Sequence, residues 1–171
     1  GFDLIEYDWM PPYGKGKHAD FIFTLNETFK GEHNFASTLS ITFPNKFDGI
    51  QMVKEDLRNG SMFKLPRFAP EDSYQSRLTK TFKQTPGKPF ERDFDNGHSY
   101  IFRVRSEVQD NKLIRAMYGK IHGDIEFDPA FQKTIDLRFT YYLNPDYTRN
   151  LEYDRTRNLF GNLPVLERVD Q

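Results

Sequence analysis

The stretch that decides the fold runs from His98 to Leu143 and reads HSYIFRVRSEVQDNKLIRAMYGKIHGDIEFDPAFQKTIDLRFTYYL. From Tyr100 onwards, apolar side chains occupy most even positions and charged side chains most odd ones, which is the period-two alternation of a strand with one buried face. Asp110 and Asn111 then interrupt the pattern. Both residue types tolerate the positive φ that a two-residue type I′ turn requires, so the sequence predicts a β-hairpin with its tip at these two residues.

A tip at Asp110 and Asn111 also fixes which residues of the two strands face each other. The predicted pairs are Val108 with Leu113, Val104 with Met117, and Tyr100 with Ile121. Each pair joins apolar side chains, so the register set by the turn agrees with the register set by the hydrophobic pattern. A slip by one residue would break all three pairs. Further along the second strand, Gly119 and Gly123 predict a bulge or bend.

A third strand from Ile135 to Leu143 completes the predicted meander, with its odd-numbered apolar side chains facing the core. With Phe127 opposite Ile135, the expected charged pairs are Asp124 with Arg138 and Glu126 with Asp136. The first pair is favourable, whereas the second puts like charges together. The connecting loop is longer than a two-residue turn, so it does not fix this register.

The rest of the chain predicts additional strands. Four other segments have strand character: residues 19–25, 37–43, 61–65 and 77–83. Residues 26–34 are polar and predict a connection, whereas residues 48–60 fit either a short helix or a short strand at 50–53. We therefore expect one domain of residues 1–171 with an all-β fold, an antiparallel two-sheet β-sandwich, jelly-roll-like, with at most one or two short helices. A closed barrel is the alternative.

The two ends of the chain differ from its middle. Residues 1–17 concentrate proline and glycine and predict an irregular segment. Residues 144–171 are polar with sparse apolar anchors, and they predict an extended arm that wraps the body or orders against a partner. The arm repeats itself, because Thr-Arg-Asn-Leu at 148–151 recurs at 156–159, but two copies are too few for a solenoid.

Composition narrows the classes of function. With 24 Lys and Arg against 25 Asp and Glu, the net charge of −1 gives no electrostatic case for binding nucleic acid. The sequence contains no run of about 18 apolar residues, so it predicts no transmembrane helix. The absence of cysteine excludes disulfides, a thiol nucleophile and cysteine-ligated metals. Composition leaves the oligomeric state open.

Aromatic residues are abundant, with 17 Phe, 9 Tyr and one Trp. An aromatic β domain that lacks cysteine and carries a polar terminal arm is similar to small secreted or lipid-anchored envelope proteins of bacteria. This likeness of composition implies a secreted, periplasmic or lipid-anchored location at the bacterial cell surface, with a cytoplasmic location left open. It also implies another envelope protein as one possible kind of partner.

Two groups of side chains are candidates for binding a ligand. Trp9 and Tyr13, which flank two prolines, are candidates for an aromatic lip around a ligand, and the alternative is that they close the open end of the sandwich. On the outward face of the meander, Arg103 neighbours Tyr118, with Tyr142 diagonal to them. Exposed tyrosines with a flanking cation can stack on a sugar ring or on a peptide aromatic. The alternative is that the arm, a helix or a second sheet covers this face.

One group of side chains is a candidate for binding a cation. His122 and Asp124 share one face of a strand, roughly 7 Å apart. With Glu126 and Asp136 they would form an oxygen-rich site suited to calcium. The alternative is a solvated strand face. We expect no other cofactor, because His-x-His and His-Glu-x-x-His spacings are absent from the sequence.

The sequence marks no catalytic residues. It has no Gly-x-Ser-x-Gly, and nothing identifies two carboxylates that face each other across a cleft. We therefore expect a non-catalytic binding or structural domain of a secreted or cell-envelope protein. The alternatives are a carbohydrate-binding module that uses exposed aromatics, and a glycan-active hydrolase or lyase with an unidentified acid and base. A groove of exposed aromatics would favour the former, and a pocket of carboxylates with raised pKa the latter.

Overall fold

The computed structural model describes residues 1–54, 65–129 and 135–164. These residues form strands and irregular segments, with a 3₁₀ turn at Arg155–Arg157. The strands are β1 (Phe2–Asp3), β2 (Asp8–Trp9), β3 (Ile22–Gly31), β4 (Asn34–Thr42), β5 (Gly49–Lys54), β6 (Arg77–Gln84), β7 (Glu91–Arg92), β8 (His98–Gln109), β9 (Lys112–Pro129) and β10 (Ile135–Asn144).

Two four-stranded antiparallel sheets pack face to face. One has the order β10–β9–β8–β5 and the other β3–β4–β6–β7, while β1 and β2 form a separate hairpin. Phe21, next to β3, and Ile41 of β4 share one buried cluster with Tyr100, Phe102 and Ile121 of the first sheet. The fold is the antiparallel two-sheet β-sandwich that the sequence predicts. Because both sheets are open, the barrel alternative is wrong.

The β8–β9 hairpin has the predicted tip and register. Asp110 and Asn111 both adopt positive φ, at 50° and 59°. The three predicted pairs are all present: Val108 with Leu113, Val104 with Met117, and Tyr100 with Ile121. Val104 and Met117 are buried in the core between the sheets. Val108 is an exception to the expected burial, because it is exposed and its partner Leu113 packs against the cluster that contains Ile101 and Tyr118, not against the core between the sheets.

Between the tip and the core the hairpin contains two bulges that cancel. Glu107 lies opposite Arg115, one residue out of step with the pairs on either side. One extra residue on β8 near Arg105 shifts the register, and one extra residue on β9 between Leu113 and Arg115 restores it. Arg105 itself has a φ of 53°, a conformation that L-residues other than glycine rarely adopt. The bulge turns the Arg105 side chain out of the strand's alternation.

The register of β10 against β9 changes part of the way along the strand. From Thr140 opposite His122 to Tyr142 opposite Lys120 it is the predicted register. For residues 135–138 the prediction is wrong by two residues. The pairs there are Ile135 with Pro129, Asp136 with Asp128, Leu137 with Phe127, and Arg138 with Glu126. The cause is a bulge of two extra residues on β9 at Gly123, whose φ is 79°, as the glycine there suggested.

Residues 26–34 form a hairpin, which is one of the two kinds of connection, loop or hairpin, that their polarity predicted. β3 continues to Gly31 and β4 begins at Asn34, so this segment forms the end of a tight antiparallel hairpin. An antiparallel strand can keep its backbone hydrogen-bonded while its polar side chains face water, so polarity alone did not distinguish it from a loop. The strands predicted at 37–43 and 77–83 correspond to β4 and β6.

The structure also decides two other predicted segments, residues 1–17 and residues 48–60. Residues 1–17 are only partly irregular, because β1 and β2 pair through Phe2 and Trp9. In the ambiguous stretch 48–60, the strand alternative is correct for the part that becomes β5. The rest of that stretch, together with most of the strand predicted at 61–65, lies outside the described residues.

Two segments of the protein, the loop after residue 65 and the C-terminal arm, cover the outward face of β8 and β9. A second buried cluster lies there, formed by Ala69, Ile101, Ala116, Tyr118 and Leu151. Its covering residues come from a loop after residue 65 and from the arm, which bond to each other. The Ala69 N–H donates to the Arg149 carbonyl at 2.7 Å, and the Leu151 N–H donates to the Arg67 carbonyl at 2.8 Å. Between residues 144 and 164 the arm therefore lies against the body.

Candidate functional site

A groove of about 1150 Å³ follows the edge strand β10. Consecutive residues 137–146 line it, from both faces of the strand. This happens because β10 is the terminal strand of its sheet, and no strand in the described chain pairs with its outer edge. We call residues 1–20 the N-terminal wall of the groove, and the arm residues 147–163 form the opposite wall.

Aromatic rings line much of the groove. The main ones are Tyr7, Trp9, Phe139, Tyr141, Tyr153 and Phe160. Trp9 contacts Phe2 and Phe23 edge-on, with ring centroids 5.3 and 5.7 Å apart, and it remains 40% exposed. Tyr7 lies beside Tyr141 at 6.4 Å with the two rings 26° from parallel. The groove therefore combines the partly exposed Trp9 indole with tyrosine rings that pack against each other.

The arm supplies polar groups through its repeat, which is a repeat of structure as well as of sequence. Asp146 accepts from the Thr148 N–H and hydroxyl at 2.9 and 2.7 Å, and Asp154 accepts from those of Thr156 at 2.9 and 2.6 Å. These donors hold the pKa of Asp154 below its ordinary value. Burial alone would raise the pKa of Asp146, but Thr148 and Arg157 lower it overall. Both carboxylates are charged at neutral pH.

The N-terminal wall is fixed around one buried carboxylate. Burial alone would raise the pKa of Asp3, but N–H donors from residues 5, 6, 17 and 18 lower it to about 2. Asp3 and Asp20 are both buried and both accept from the Arg105 guanidinium. A second attachment comes from the Tyr141 hydroxyl, which donates to the Leu4 carbonyl at 2.7 Å. The wall is thus tied to both β8 and β10.

A second charged cluster is buried inside the sandwich, away from the groove. The Lys80 ammonium lies 2.5 Å from the Asp124 carboxylate, with the side chains only 3% and 0% exposed. Tyr100 donates its hydroxyl to the same carboxylate at 2.5 Å, and the Asp95 N–H donates to it at 2.8 Å. Sequence analysis missed this pair. The available signal was Lys80 itself, which stands between two apolar residues on the inward face of β6.

The structure brings only some of the candidate ligand-binding residues together. Trp9 and Tyr142 both line the groove, whereas Tyr13 is 86% exposed and lies outside its lining. Arg103 and Tyr118 are both buried, and the loop and the arm cover Tyr118, so the alternative of a covered face is correct and these two residues are not an exposed site. Arg103 there stacks on the Tyr74 ring at 4.4 Å and donates to two backbone carbonyls.

The four candidate calcium ligands do not converge. The bulge at Gly123 turns Asp124 into the interior, where Lys80 neutralises it. Glu126 instead pairs with Arg92 at 2.5 Å. Within residues 1–54, 65–129 and 135–164, no set of three or more histidine, aspartate or glutamate side chains is arranged to hold a metal ion. His122 and Asp136 consequently lack the ring of ligands that the calcium hypothesis requires.

Comparison with known proteins adds no family. No family model matches this chain, and neither a curated protein nor a solved structure is significantly similar to it. In the part of the chain that the structure describes, no helix has the length and apolar character needed to cross a bilayer. Any functional conclusion therefore comes from the groove itself.

Proposed function

We propose that this protein is a non-catalytic carbohydrate-binding domain and that its site is the groove along β10. The observation that carries the proposal is the pairing of aromatic rings with charged and amide side chains along one open edge strand. The composition supports a secreted or cell-envelope location for such a domain. Neither nucleic acid nor a cofactor enters the proposal.

A glycan suits both chemistries of the groove. The C–H face of a sugar ring packs against an aromatic ring, and aromatic contacts supply much of the energy of compact binding sites. Sugar hydroxyls both donate and accept, so they match the ionised carboxylates of Asp146 and Asp154 and the amides of Asn150 and Asn158. The outer edge of β10, with which no strand among the described residues pairs, offers backbone donors and acceptors as well.

The dimensions favour a chain over a single sugar. Ordinary small-molecule pockets have roughly 300–1,000 Å³, and this groove, at about 1150 Å³, is at or beyond that upper limit. It follows a strand of ten residues, which spans roughly 30 Å. An open trough of this length accommodates a linear oligosaccharide without requiring a free chain end.

Two carboxylates of the groove, those of Asp146 and Asp154, support binding over hydrolysis. A glycosidase needs one carboxylic acid whose pKa is raised enough to protonate the leaving group. Asp146 and Asp154 have lowered pKa values instead, because threonine donors stabilise their charged forms. Such groups accept hydrogen bonds well but are poor proton donors at neutral pH.

The test is a glycan array followed by titration calorimetry of any ligand found. Trp9→Ala is expected to weaken binding about tenfold or more, since a buried aromatic contact is worth at least ~1.4 kcal/mol. Tyr142→Ala tests the other face of β10. Tyr13→Ala is the matched control, because this ring is exposed but outside the groove. Binding that tolerates Trp9→Ala and Tyr142→Ala but is lost in Tyr13→Ala would place the site elsewhere, and a chain that binds no glycan would refute the proposal.

A further inference from the structure

We infer that Arg105 is the positioning residue of the groove: its guanidinium fixes the N-terminal wall, and with it Trp9, against the sandwich. The inference rests on the proposed function only in its last step, the effect on ligand affinity. Its earlier steps concern the attachment of the wall and are testable without any ligand.

The guanidinium joins two carboxylates that lie far from it in sequence. Arg105 Nη2 donates to Asp3 Oδ1 at 2.7 Å and to Asp20 Oδ2 at 2.9 Å, while its Nε donates to Asp20 Oδ1 at 2.8 Å. The contact with Asp20 is therefore bidentate, the geometry in which arginine binds carboxylates most strongly. Asp3 and Asp20 lie at the two ends of the N-terminal wall, so this one side chain closes the segment at both ends.

The backbone of β8 is bent to make this contact. The bulge gives Arg105 a φ of 53°, and a residue with a side chain is disfavoured there by about 1 kcal/mol or more. Glycine would adopt this conformation without that cost. The two N–H groups at the bulge, those of Arg105 and Ser106, are both satisfied by the buried Asp48 carboxylate at 3.1 and 3.0 Å. Asp48 thus stabilises the backbone of the bulge, while the Arg105 side chain reaches the carboxylates of the wall.

The wall takes its shape from the carboxylate that Arg105 holds. Asp3 Oδ1 accepts from the N–H groups of Ile5 and Glu6, and Asp3 Oδ2 accepts from those of Lys17 and His18, at 2.9–3.1 Å. These four bonds gather the start of the β1–β2 turn and the segment at residues 17–18 around one carboxylate. A shift of Asp3 therefore shifts the whole segment between residues 3 and 18.

The wall in turn carries part of the groove's aromatic surface, including Trp9. Phe2 lies opposite Trp9 in the β1–β2 pair, and Asp3 lies opposite Asp8. Trp9 is thus one residue pair away from the carboxylate that Arg105 holds. Removing the guanidinium would leave two buried carboxylates without a cation, a state that proteins avoid by exposing the charges to water. Exposure here means that the wall loosens from the sandwich, which also disturbs the packing of Leu4 in the core between the two sheets.

The test compares Arg105→Gln, Arg105→Lys and Arg105→Gly with wild type by tryptophan fluorescence and trypsin digestion. Trp9 is the one tryptophan of the chain, so its emission reports the wall directly. In Arg105→Gln and Arg105→Gly we expect a red-shifted, more easily quenched emission, and cleavage after Lys15 and Lys17 faster by about tenfold or more. In Arg105→Lys, the emission and the cleavage rate should lie between those of wild type and Arg105→Gln. Lysine keeps the positive charge but cannot form the bidentate contact with Asp20. Far-UV circular dichroism should stay that of a β protein.

Arg115→Gln is the matched control. Arg115 forms a bidentate pair with Glu107 at the same bulges, at 2.7 and 2.8 Å, but both side chains are about half exposed. Its loss should leave the emission and the cleavage rate unchanged. If Arg105→Gln fails to fold, Asp20→Asn tests the same link from the wall, because an amide has only one acceptor oxygen and the bidentate contact with Arg105 is lost.

Two results would overturn the inference. One is wild-type emission and cleavage in Arg105→Gln, or in Asp20→Asn where Arg105→Gln does not fold. The other is an Arg105→Gly variant in which relief of backbone strain makes the wall more resistant to trypsin. With a glycan in hand, Arg105→Gln should lower its affinity by about the same factor as Trp9→Ala. Failure to find any glycan would refute the proposed function and leave the fluorescence and digestion results to decide the role of Arg105.

Discussion

Replacing Lys80 by methionine removes one partner of an ion pair that is almost completely shielded from water. Methionine fills the space of the aliphatic part of lysine with a flexible apolar chain, so the change deletes the charge with little loss of packing. Asp124 then stays in the interior with three donors: the Tyr100 hydroxyl at 2.5 Å and the N–H groups of Asp95 and Ile125, both at 2.8 Å.

The size of the effect follows from what remains. Breaking a buried pair by removing one partner costs about 3–5 kcal/mol, because an uncompensated charge is left inside. The three surviving donors keep the loss near the lower end, so we expect about 3 kcal/mol at pH 7. Domains are stable by about 5–15 kcal/mol, and the variant should therefore fold with a clearly lowered free energy of unfolding.

The loss of stability caused by Lys80→Met should depend on pH, because Asp124 is a titratable group. Burial alone would raise the pKa of Asp124, but Lys80, Tyr100 and the Asp95 N–H lower it below its ordinary value. A lowered pKa stabilises the folded state above the ordinary carboxyl value of about 4, and this stabilisation is lost as the pH falls through the folded-state pKa. Without Lys80 the pKa of Asp124 rises, so the difference between variant and wild type should shrink as the pH approaches 4.

Urea unfolding followed by circular dichroism measures these energies at each pH. A double-mutant cycle isolates the pair: in an Asp124→Asn background, Lys80→Met should cost less than about 1 kcal/mol. The reasoning is refuted if Lys80→Met costs under about 1 kcal/mol in the wild-type background, or if its cost is the same with and without the Asp124 charge.

Three further outcomes are expected. Gly119→Ala should destabilise by about 3 kcal/mol in urea unfolding, because the added methyl collides with the Phe102 ring and the Tyr142 carbonyl; a neutral effect would contradict this close packing. Met117→Ala should cost about 2–5 kcal/mol by the same measurement, since its side chain is buried opposite Val104, and a cost under about 1 kcal/mol would argue against that placement. Because the pKa of Asp3 is lowered to about 2 from 3.8, its contribution is complete above pH 4 and is lost as the pH falls toward 2. Trp9 emission followed from pH 5 to 2 should show the wall loosening in wild type, and an unchanged emission would count against it.

The parts of the fold that the sequence predicted are those that depend on near neighbours in the chain. A two-residue turn at Asp110 and Asn111 has few possible geometries, and the alternating pattern on both sides allows only one of the registers. The tip and the three apolar pairs were therefore predictable, whereas the two bulges between Val104 and Val108 were not. The β10 register was predictable only for its second half, because the bulge at Gly123 inserts two residues whose effect on pairing no local pattern specifies.

The candidate site was predictable only in fragments. Trp9 and Tyr142 were identified from their residue type, but Tyr7, Tyr141 and Phe160 were not. These five residues come from the N-terminus, from an edge strand and from the arm, and only packing brings them to one groove. The outward tyrosine site failed for the same reason, since the chain that covers Tyr118 is distant in sequence.

Alternation of side chains and turn chemistry alone determined that this chain forms antiparallel sheets with a central hairpin at Asp110 and Asn111. Tertiary structure decided where the strands are irregular and which charges are buried there. Arg105 and Asp124 both leave the regular pattern at bulges, each to meet opposite charges from distant parts of the chain: Asp3 and Asp20 in one case, Lys80 in the other. The physical reason is that a charge can be buried only beside its partner, and the position of that partner is known only once the sheets have packed.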